Sequence, residues 1–260
     1  MIKISIITPT YNNIEKLKDN INSVFNQLYK NIEHIIVDNK SNDSTDILIE
    51  DYKKKAKYPV VYIREKDSGI YNAMNKGIKI AKGEWIHILN ADDCYYSNES
   101  LKLFIQGDIP KYDIIANSII VRNTKFNEIY SKWNPEYKAN INHYNFPHTG
   151  MIIKKSFYEL NDYYNENYKI ISDAIFCMNF LPKANYKIIN TPLIIMSDSG
   201  VSNKISFRRS YELLIFTFFY YRGSIKYKVK FAYLNFFRDI ILLLRILKRN
   251  IKNRYKKFSA

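Results

Sequence analysis

Cysteine is scarce in this sequence of 260 residues, which contains only Cys94 and Cys177. Two cysteines are too few for a disulfide framework or for a zinc site with four cysteine ligands, and they indicate a reducing compartment. The N-terminal segment MIKISIITPTYNN has one lysine and no long apolar run that ends in small residues, so it does not look like a signal peptide. We therefore expect a cytoplasmic location.

Glycine-rich phosphate-binding loops are also missing. No GxGxxG motif follows the first apolar segment, and GxxxxGK[ST] occurs nowhere in the chain, which has only 7 glycines. Their absence excludes the usual dinucleotide-binding fingerprint and the P-loop. A nucleotide bound by this chain would need another source of positive charge for its phosphates.

Acidic residues are rare at one end of the chain. Residues 1–200 hold 25 Lys and Arg against 23 Asp and Glu, whereas residues 201–260 hold 15 against 2. Most of the net charge of +15 therefore belongs to the last 60 residues. We predict a near-neutral domain at residues 1–205 and a basic tail at residues 206–260.

The body of the chain alternates short apolar runs with helical patterns. The first run is followed by Pro9, which we expect to end a strand. Alternation in units of about 30 residues predicts an α/β fold with parallel strands, and continuous apolar runs indicate a sheet covered on both faces. Strands are predicted at residues 3–8, 33–38, 59–63 and 84–89, and helices at residues 14–28, 46–57 and 70–81.

Polar side chains collect where these strands end, the edge at which α/β sheets bind ligands. Tyr11 follows the first strand, Asp38 ends the second, and Asp92 and Asp93 follow the fourth. Adjacent carboxylates repel each other unless a cation or a proton neutralises them. The pair suits a hard divalent cation, Mg²⁺ or Mn²⁺, which can bridge carboxylate and diphosphate.

Four segments of the chain resemble glycosyltransferase family 2, the GT-A-fold enzymes that use nucleotide sugars: SIITPTYNN, IEHIIVDNKSNDSTDIL, EKDSGIYNAMNKGIKIAKGEW and IHILNADD. The segments FPHTGMIIKKSFYEL, YKIISDAIFCMNFL and SDSGVSNK extend the resemblance to about residue 200. It implies a Rossmann-like mixed central sheet flanked by helices, with a nucleotide-binding half at residues 1–95 and an acceptor half at residues 96–205. The chain looks most similar to small bacterial enzymes of surface-polysaccharide assembly.

The resemblance places the donor contacts at the strand ends. Tyr11 would stack on the base, and Asp38 would accept a hydrogen bond from the ring N–H of the base. The family usually has Asp where this chain has Asn90, which can accept from the ribose through its carbonyl but brings no charge. Asp92, and after it Asp93, would hold the metal. The implied nucleotide-sugar contacts are Thr8, Pro9, Tyr11, Asp38, Asp67, Lys76, Asn90, Ala91 and Asp92.

Asp173, in KIISDAIF, falls on the catalytic base of the family. It would take the proton of an acceptor hydroxyl as that oxygen attacks the anomeric carbon opposite the leaving diphosphate, which inverts the configuration. His148 is a candidate contact of the acceptor or the donor.

Each of these residues also has a structural alternative. Asp38 can cap a turn, and Asp92, Asp93 and Asp173 can cap helices. Tyr11, Lys76 and His148 can be ordinary surface or core side chains.

The basic tail predicts two helices, at residues 207–221 and 229–251. The second is basic on one side and apolar on the other, and no run of 18 uncharged residues is present to span a bilayer. Such a helix suits an anionic membrane surface, so we predict an enzyme on the inner face of the cell membrane that uses a glycan or lipid-linked acceptor. Packing of these helices on the body, or a homodimer contact, is the alternative.

Two other functions remain open. A nucleic-acid-binding protein could use the basic tail, but the body is near neutral and no reader motif is present, so we predict no nucleic acid partner. A nucleotidyltransferase or another nucleotide-sugar-processing enzyme would have a similar scaffold. Such enzymes usually carry a glycine-rich basic loop after the first strand, and TPTYNN has neither glycine nor lysine. We therefore predict an inverting glycosyltransferase that uses a UDP-linked sugar.

Overall fold

The computed structural model describes residues 3–106, 109–123, 128–138, 143–198, 200, 206–221, 224–226, 228–230 and 232–233. The elements of the first half are β1 (Ile4–Thr10), α1 (Ile14–Phe25), β2 (Ile32–Asp38), α2 (Thr45–Lys55), β3 (Val60–Arg64), α3 (Ile70–Ile80) and β4 (Trp85–Ile88). Those that follow are β5 (Cys94–Tyr95), α4 (Ser100–Ile105), β6 (Ile114–Asn123), β7 (Glu128–Trp133), β8 (Glu136–Lys138), β9 (His143–Asn145), β10 (Met151–Lys154), α5 (Lys155–Leu160), α6 (Ser172–Phe180), β11 (Tyr186–Ser197) and α7 (Phe207–Ile215).

A mixed sheet runs through the protein in the order β3-β2-β1-β4-β10-β6-β11-β5, and β7 pairs with β6 beside this path. Strands β1 to β4 are parallel to one another, as the sequence predicts. Strand β10 runs antiparallel to both of its neighbours, β4 and β6. The predicted mixed α/β fold with a central sheet and flanking helices is confirmed.

The sheet is covered on both faces, which explains its continuous apolar strands. Ile4 and Ile6 of β1 pack in one core cluster with Leu17 of α1. Ile7 packs in a second cluster with Met74 of α3. Because side chains alternate along a strand, the two clusters lie on opposite faces, and each fully buried isoleucine contributes about 1.5–3 kcal/mol.

Helix α3 lies unusually close to β1. A methyl group added at Gly77 would overlap the side chain of Ile7. Glycine at this position therefore allows the helix to approach the sheet. This approach sets the position of Tyr71 at the start of the helix.

The predicted ends of β1 and α1 are wrong. Strand β1 continues through Pro9 to Thr10. The Thr10 carbonyl accepts a hydrogen bond from the Asn39 N–H, just after β2. Because successive residues of a strand point their backbone groups to opposite sides, the nitrogen of Pro9 faces β4. That strand has already ended at Ile88, so no N–H is needed there. Helix α1 ends at Phe25 rather than continuing to Leu28, which is exposed.

The first predicted helix of the tail packs on the body. Helix α7 continues into a π-helical turn from Phe216 to Tyr220, and Phe216 and Tyr221 join a core cluster with Ile171 and Ile175. Of the alternatives for the tail, packing on the body therefore describes residues 207–221. The second predicted helix, residues 229–251, and the boundary at residue 205 lie largely outside the described residues. Among the described residues, no helix combines the length and apolar character that crossing a membrane requires.

Candidate active site

The loop after β4 is held in place by Asn20, a fully buried amide on α1. Its Nδ2 donates to the carbonyl oxygens of Asn90, at 2.9 Å, and Asp93, at 3.0 Å. The Asp93 N–H also bonds the Asn90 carbonyl across the turn. These bonds fix the backbone that carries Asn90, Ala91, Asp92 and Asp93.

The two carboxylates of this loop have different surroundings. Asp93 is 1% exposed, and its Oδ1 accepts a hydrogen bond from the Ser197 N–H at 3.0 Å. Burial, and after it the charge of Asp92, raises the pKa of Asp93 to about 8. Asp92 is only partly buried. At neutral pH Asp92 is thus better suited than Asp93 to act as a metal ligand.

The loop at 90–93 offers a divalent cation only a few protein ligands among the described residues. Among the described residues, no group of three or more His, Cys, Asp or Glu side chains is arranged as a metal site. The Oδ1 of Asn90 is buried and has no hydrogen-bond partner in the described part of the chain. Asp92 and this oxygen fit the usual mode of Mg²⁺, which binds one or two protein oxygens and completes its coordination with substrate phosphates and water.

The predicted base-binding residues differ in their exposure. The Tyr11 ring is 58% exposed and open to a stacking partner. Asp38 is fully buried, its Oδ1 accepts from the N–H and Oγ of Ser41, and its Oδ2 accepts from Tyr62. Arg64 Nε lies 3.6 Å from Oδ2. Contact between Asp38 and a base stays a prediction and would use the remaining lone pairs of an already engaged carboxylate.

Two further residues at the end of β1 face inward. Thr8 is fully buried, and its Oγ1 donates to the Leu89 carbonyl at 2.8 Å. Pro9 is also buried. The Thr8 side chain thus links β1 to the residue that follows β4, and donor contacts of Thr8 and Pro9 stay predictions.

Asp67 lies just before α3, and Lys76 lies on that helix. Asp67 Oδ1 accepts from the Gly69 N–H at 2.9 Å, and burial raises the pKa of Asp67. Lys76 Nζ bonds the Lys66 carbonyl at 2.7 Å and Glu65 Oε1 at 2.8 Å. Lys76 therefore has two protein partners, and a phosphate contact would use the third N–H of its ammonium group.

The candidate base, Asp173, belongs to a three-residue cluster. His148 Nδ1 lies 2.9 Å from Asp173 Oδ2, and Tyr71 Oη donates to Asp173 Oδ1 at 2.6 Å. The Asp173 side chain is 20% exposed. Burial raises the pKa of Asp173, but His148, Tyr71 and the Ala174 N–H outweigh it and hold the pKa below its usual value.

The same pairing acts on His148 in the opposite direction. Burial lowers the pKa of His148, but the charge of Asp173 and its hydrogen bond to the ring outweigh this effect, and the pKa is raised. Both shifts favour the pairing of an imidazolium with a carboxylate. His148 Nε2 is buried and has no hydrogen-bond partner among the described residues.

The sheet brings this cluster to the acidic loop. Because β10 is antiparallel to β4, with Ile152 opposite His87, the residues before β10 lie beside the residues after β4. His87 Nε2 bonds the Thr149 carbonyl at 2.9 Å across this junction. His148 and the loop at 90–93 thus meet at one edge of the sheet, although they are far apart in the sequence.

Buried polar atoms without hydrogen-bond partners concentrate at this edge of the described structure. A bound polar ligand or water would satisfy them, because such atoms are costly to leave unpaired. They are Thr10 Oγ1, Asn90 Oδ1, His148 Nε2, Thr149 Oγ1 and Ser172 Oγ.

Three residues of the site are missed by the sequence analysis. Asn20 stands at a core position of α1, between Leu17 and Val24, and a polar residue there is a signal that could have been used. Tyr71 shares the buried face of α3 with Met74, but its partner Asp173 is 102 residues away. Glu212, described below, has no local signal.

Comparison with known proteins identifies the family of the chain. The sequence profile of glycosyl transferase family 2 matches residues 5–180. A PGL/p-HBAD biosynthesis glycosyltransferase of Mycobacterium tuberculosis is 27% identical over 174 residues, which cover 65% of this chain and 66% of that protein. The poly(ribitol-phosphate) beta-N-acetylglucosaminyltransferase TarP of Staphylococcus aureus is 29% identical over 224 residues, which cover 81% of this chain and 68% of TarP.

Solved structures share the fold. TarS 1–349 of S. aureus in complex with UDP-GlcNAc has a TM-score of 0.64 at 19% identity, covering 88% of this chain and 70% of that one. The mannosyltransferase PcManGT of Pyrobaculum calidifontis, in complex with GDP-Man and Mn²⁺, has a TM-score of 0.59 at 15% identity, covering 81% and 61%. These likenesses confirm the GT-A fold. With the profile covering more than half of its length, the chain belongs to glycosyltransferase family 2.

Proposed function

We propose that the protein is an inverting glycosyltransferase that moves a sugar from a nucleoside diphosphate, UDP in our proposal, to a hydroxyl group of a bacterial surface glycan or its lipid-linked precursor. The observation that carries this proposal is the meeting of the acidic loop with the Asp173–His148 pair at one sheet edge. The similarity to TarP supports the sugar and acceptor classes.

In this mechanism each half of the chain has one task. Residues at the ends of β1, β2 and β4 bind the donor, with Tyr11 against the base. Asp173 accepts the proton of the acceptor hydroxyl while that oxygen forms a bond to the anomeric carbon and the bond to the diphosphate breaks. A divalent cation, when bound by Asp92 and Asn90, would neutralise charge on the leaving diphosphate.

A product assay separates this function from its nearest rival. With purified full chain, a panel of nucleotide sugars and a polyol-phosphate or glycan acceptor, release of nucleoside diphosphate indicates sugar transfer. Release of pyrophosphate from a nucleoside triphosphate and a sugar phosphate indicates nucleotidyl transfer instead, and would overturn the proposal.

We also propose that the C-terminal segment docks on the anionic inner surface of the cell membrane, which would bring the enzyme to a lipid-linked acceptor. Helix α7 and the π-helical turn that follows it carry a stripe of exposed side chains at helical spacing, beginning with Phe207, which is 91% exposed. The basic excess of residues 201–260 complements anionic headgroups. The members of the stripe are Phe207, Tyr211, Leu214 and Phe218.

Vesicle flotation tests the docking. The full chain should float with vesicles of phosphatidylglycerol and phosphatidylcholine, less with phosphatidylcholine alone, and the Phe207→Glu/Phe218→Glu variant should stay in solution. Leu160→Glu, at an exposed apolar residue of α5, is the matched control and should float like the wild type. If the double variant floats equally well, the stripe does not dock. A mass that doubles with concentration in the absence of lipid would instead support the homodimer contact.

A further inference from the structure

Glu212, on α7, is a buried carboxylate held by the backbone of another segment. It is 3% exposed. The Lys169 N–H lies 3.0 Å from both carboxylate oxygens, and the Ile170 N–H donates to Oε2 at 2.9 Å. Arg208 Nε lies 3.6 Å from Oε1. Charge-assisted bonds of this kind are strong enough to fix a loop where the carboxylate is shielded from water.

The segment that Glu212 holds leads directly into the candidate base. Residues 169–171 precede α6, and Asp173 lies in the first turn of that helix. Ile171 and Ile175 pack against Phe216, just beyond α7. Polar and apolar contacts thus attach the start of α6 to the C-terminal segment.

A hydroxyl group connects the held segment to Asp173. Tyr71 Oη lies 2.9 Å from the Ile170 carbonyl and 2.6 Å from Asp173 Oδ1. A phenol has a single proton, so it donates to only one of these oxygens at a time. The position of the Ile170 carbonyl, set by the Glu212 bond to the same residue, therefore affects how firmly Tyr71 holds Asp173.

We propose that Glu212 is a positioning residue for Asp173, so that the first helix of the C-terminal segment is part of the catalytic unit. The inference rests on the proposed function, in which Asp173 is the base. Glu212 acts on the chemical step through Ile170 and Tyr71. Its hydrogen-bond and ion-pair partners, Lys169, Ile170 and Arg208, lie outside the donor-binding loop at 90–93.

The test is Glu212→Gln in the full chain, with Glu159→Gln as the matched control. Glu159 lies on α5 and pairs with Lys155 at 3.4 Å on the surface. The expected result is a fall in kcat of about tenfold or more per donor-binding site, because small displacements of a catalytic group are costly. The donor dissociation constant should stay within about twofold, since the donor contacts are elsewhere. Glu159→Gln should keep both constants.

Counting active molecules by donor-binding stoichiometry separates positioning from stability. A merely structural role would lower the thermal midpoint and the number of binding sites, while kcat per site stayed unchanged, and that result would overturn the inference. If the wild type released no nucleoside diphosphate from any donor, the proposed function itself would fail.

A double-mutant cycle of Glu212→Gln with Tyr71→Phe tests whether Glu212 acts on Asp173 through Tyr71. If Glu212 acts through Tyr71, the double variant should lose no more kcat per site than the more damaging single variant. Losses that multiply would show that Glu212 acts independently of Tyr71 and would contradict the proposed connection.

Discussion

Replacing Asp173 by asparagine removes the ionisable group of the candidate base and keeps its surroundings. Asparagine has the shape of aspartate, so its Oδ1 can still accept from Tyr71, 2.6 Å away in the native protein. Without the negative charge the His148 ring can release its Nδ1 proton, and the asparagine Nδ2 can then donate to that nitrogen, which lies 2.9 Å from the native carboxylate. Asp173 is neither a predicted donor contact nor a predicted metal ligand, so we expect donor binding to be kept.

The expected loss follows from the surroundings of the carboxylate. General base catalysis is worth about 10²–10⁴-fold in rate, which corresponds to about 3–5 kcal/mol of activation free energy. The hydrogen bonds from His148 and Tyr71 hold the pKa of Asp173 below its usual value. A base with a low pKa accepts a proton less readily, so we expect a fall in kcat at the lower end, about 10²-fold.

The rate of nucleoside diphosphate release in the presence of acceptor measures the fall in kcat. Calorimetry measures the donor affinity, which should be unchanged. Asp162→Asn is the control, because Asp162 is an exposed acid near the same segment and its positive φ of 59° suits asparagine. If Asp173→Asn keeps more than about a third of the wild-type kcat, far above what loss of a general base leaves, another group accepts the proton and the reasoning fails.

Four further results are expected. Asp92→Ala should abolish the Mg²⁺-dependent part of donor binding in calorimetry, and an unchanged dependence would exclude Asp92 as the ligand. Because the pKa of Asp93 is raised to about 8 in the folded protein, against about 4 when unfolded, the folded state binds a proton that the unfolded chain releases, and stability falls as pH rises between these values. Asp93→Asn should flatten that fall in the thermal midpoint, and identical slopes would refute the assignment. Tyr11→Ala should weaken donor binding about tenfold, as expected for a lost stacking contact worth about 1–3 kcal/mol, whereas Tyr96→Ala, at another exposed tyrosine, should not. Gly77→Ala should lower the free energy of unfolding in urea by about 1–3 kcal/mol through overpacking, and an unchanged midpoint would contradict the close approach of α3 to β1.

Local patterns in the sequence were sufficient to predict the order of the first strands and helices and the position of the loop that carries Asp92. Continuous apolar runs and 3.6-residue spacing depend on neighbouring residues, and the structure confirms the strands and helices up to β4 with small shifts in their ends. The end of β1 was missed because the effect of Pro9 depends on where β4 stops. That is a property of the sheet and not of the segment.

Contacts between residues that are far apart in the chain could not be predicted from the sequence. His148 and Asp173 were each identified as candidates. Nothing in the residues around either of them predicts that His148 Nδ1 lies 2.9 Å from Asp173 Oδ2. Tyr71 and Glu212 resemble ordinary helix residues, and their roles follow from contacts 102 and 42 residues away. The donor-side loop was more predictable than the base because its residues are consecutive.

The reversed direction of β10 has a consequence for how members of such a fold can diverge. In a wholly parallel sheet only the segments after strands reach the ligand edge, whereas here the segment before β10 reaches it as well. If the proposed function holds, with Asp173 and His148 on the acceptor side, changes of length between β9 and β10 should alter that side while the donor side, built after β1, β2 and β4, keeps its shape. A one-residue insertion there should change acceptor preference with donor affinity unchanged, whereas the same insertion after Lys154 falls at the opposite edge of the sheet and should leave both unchanged.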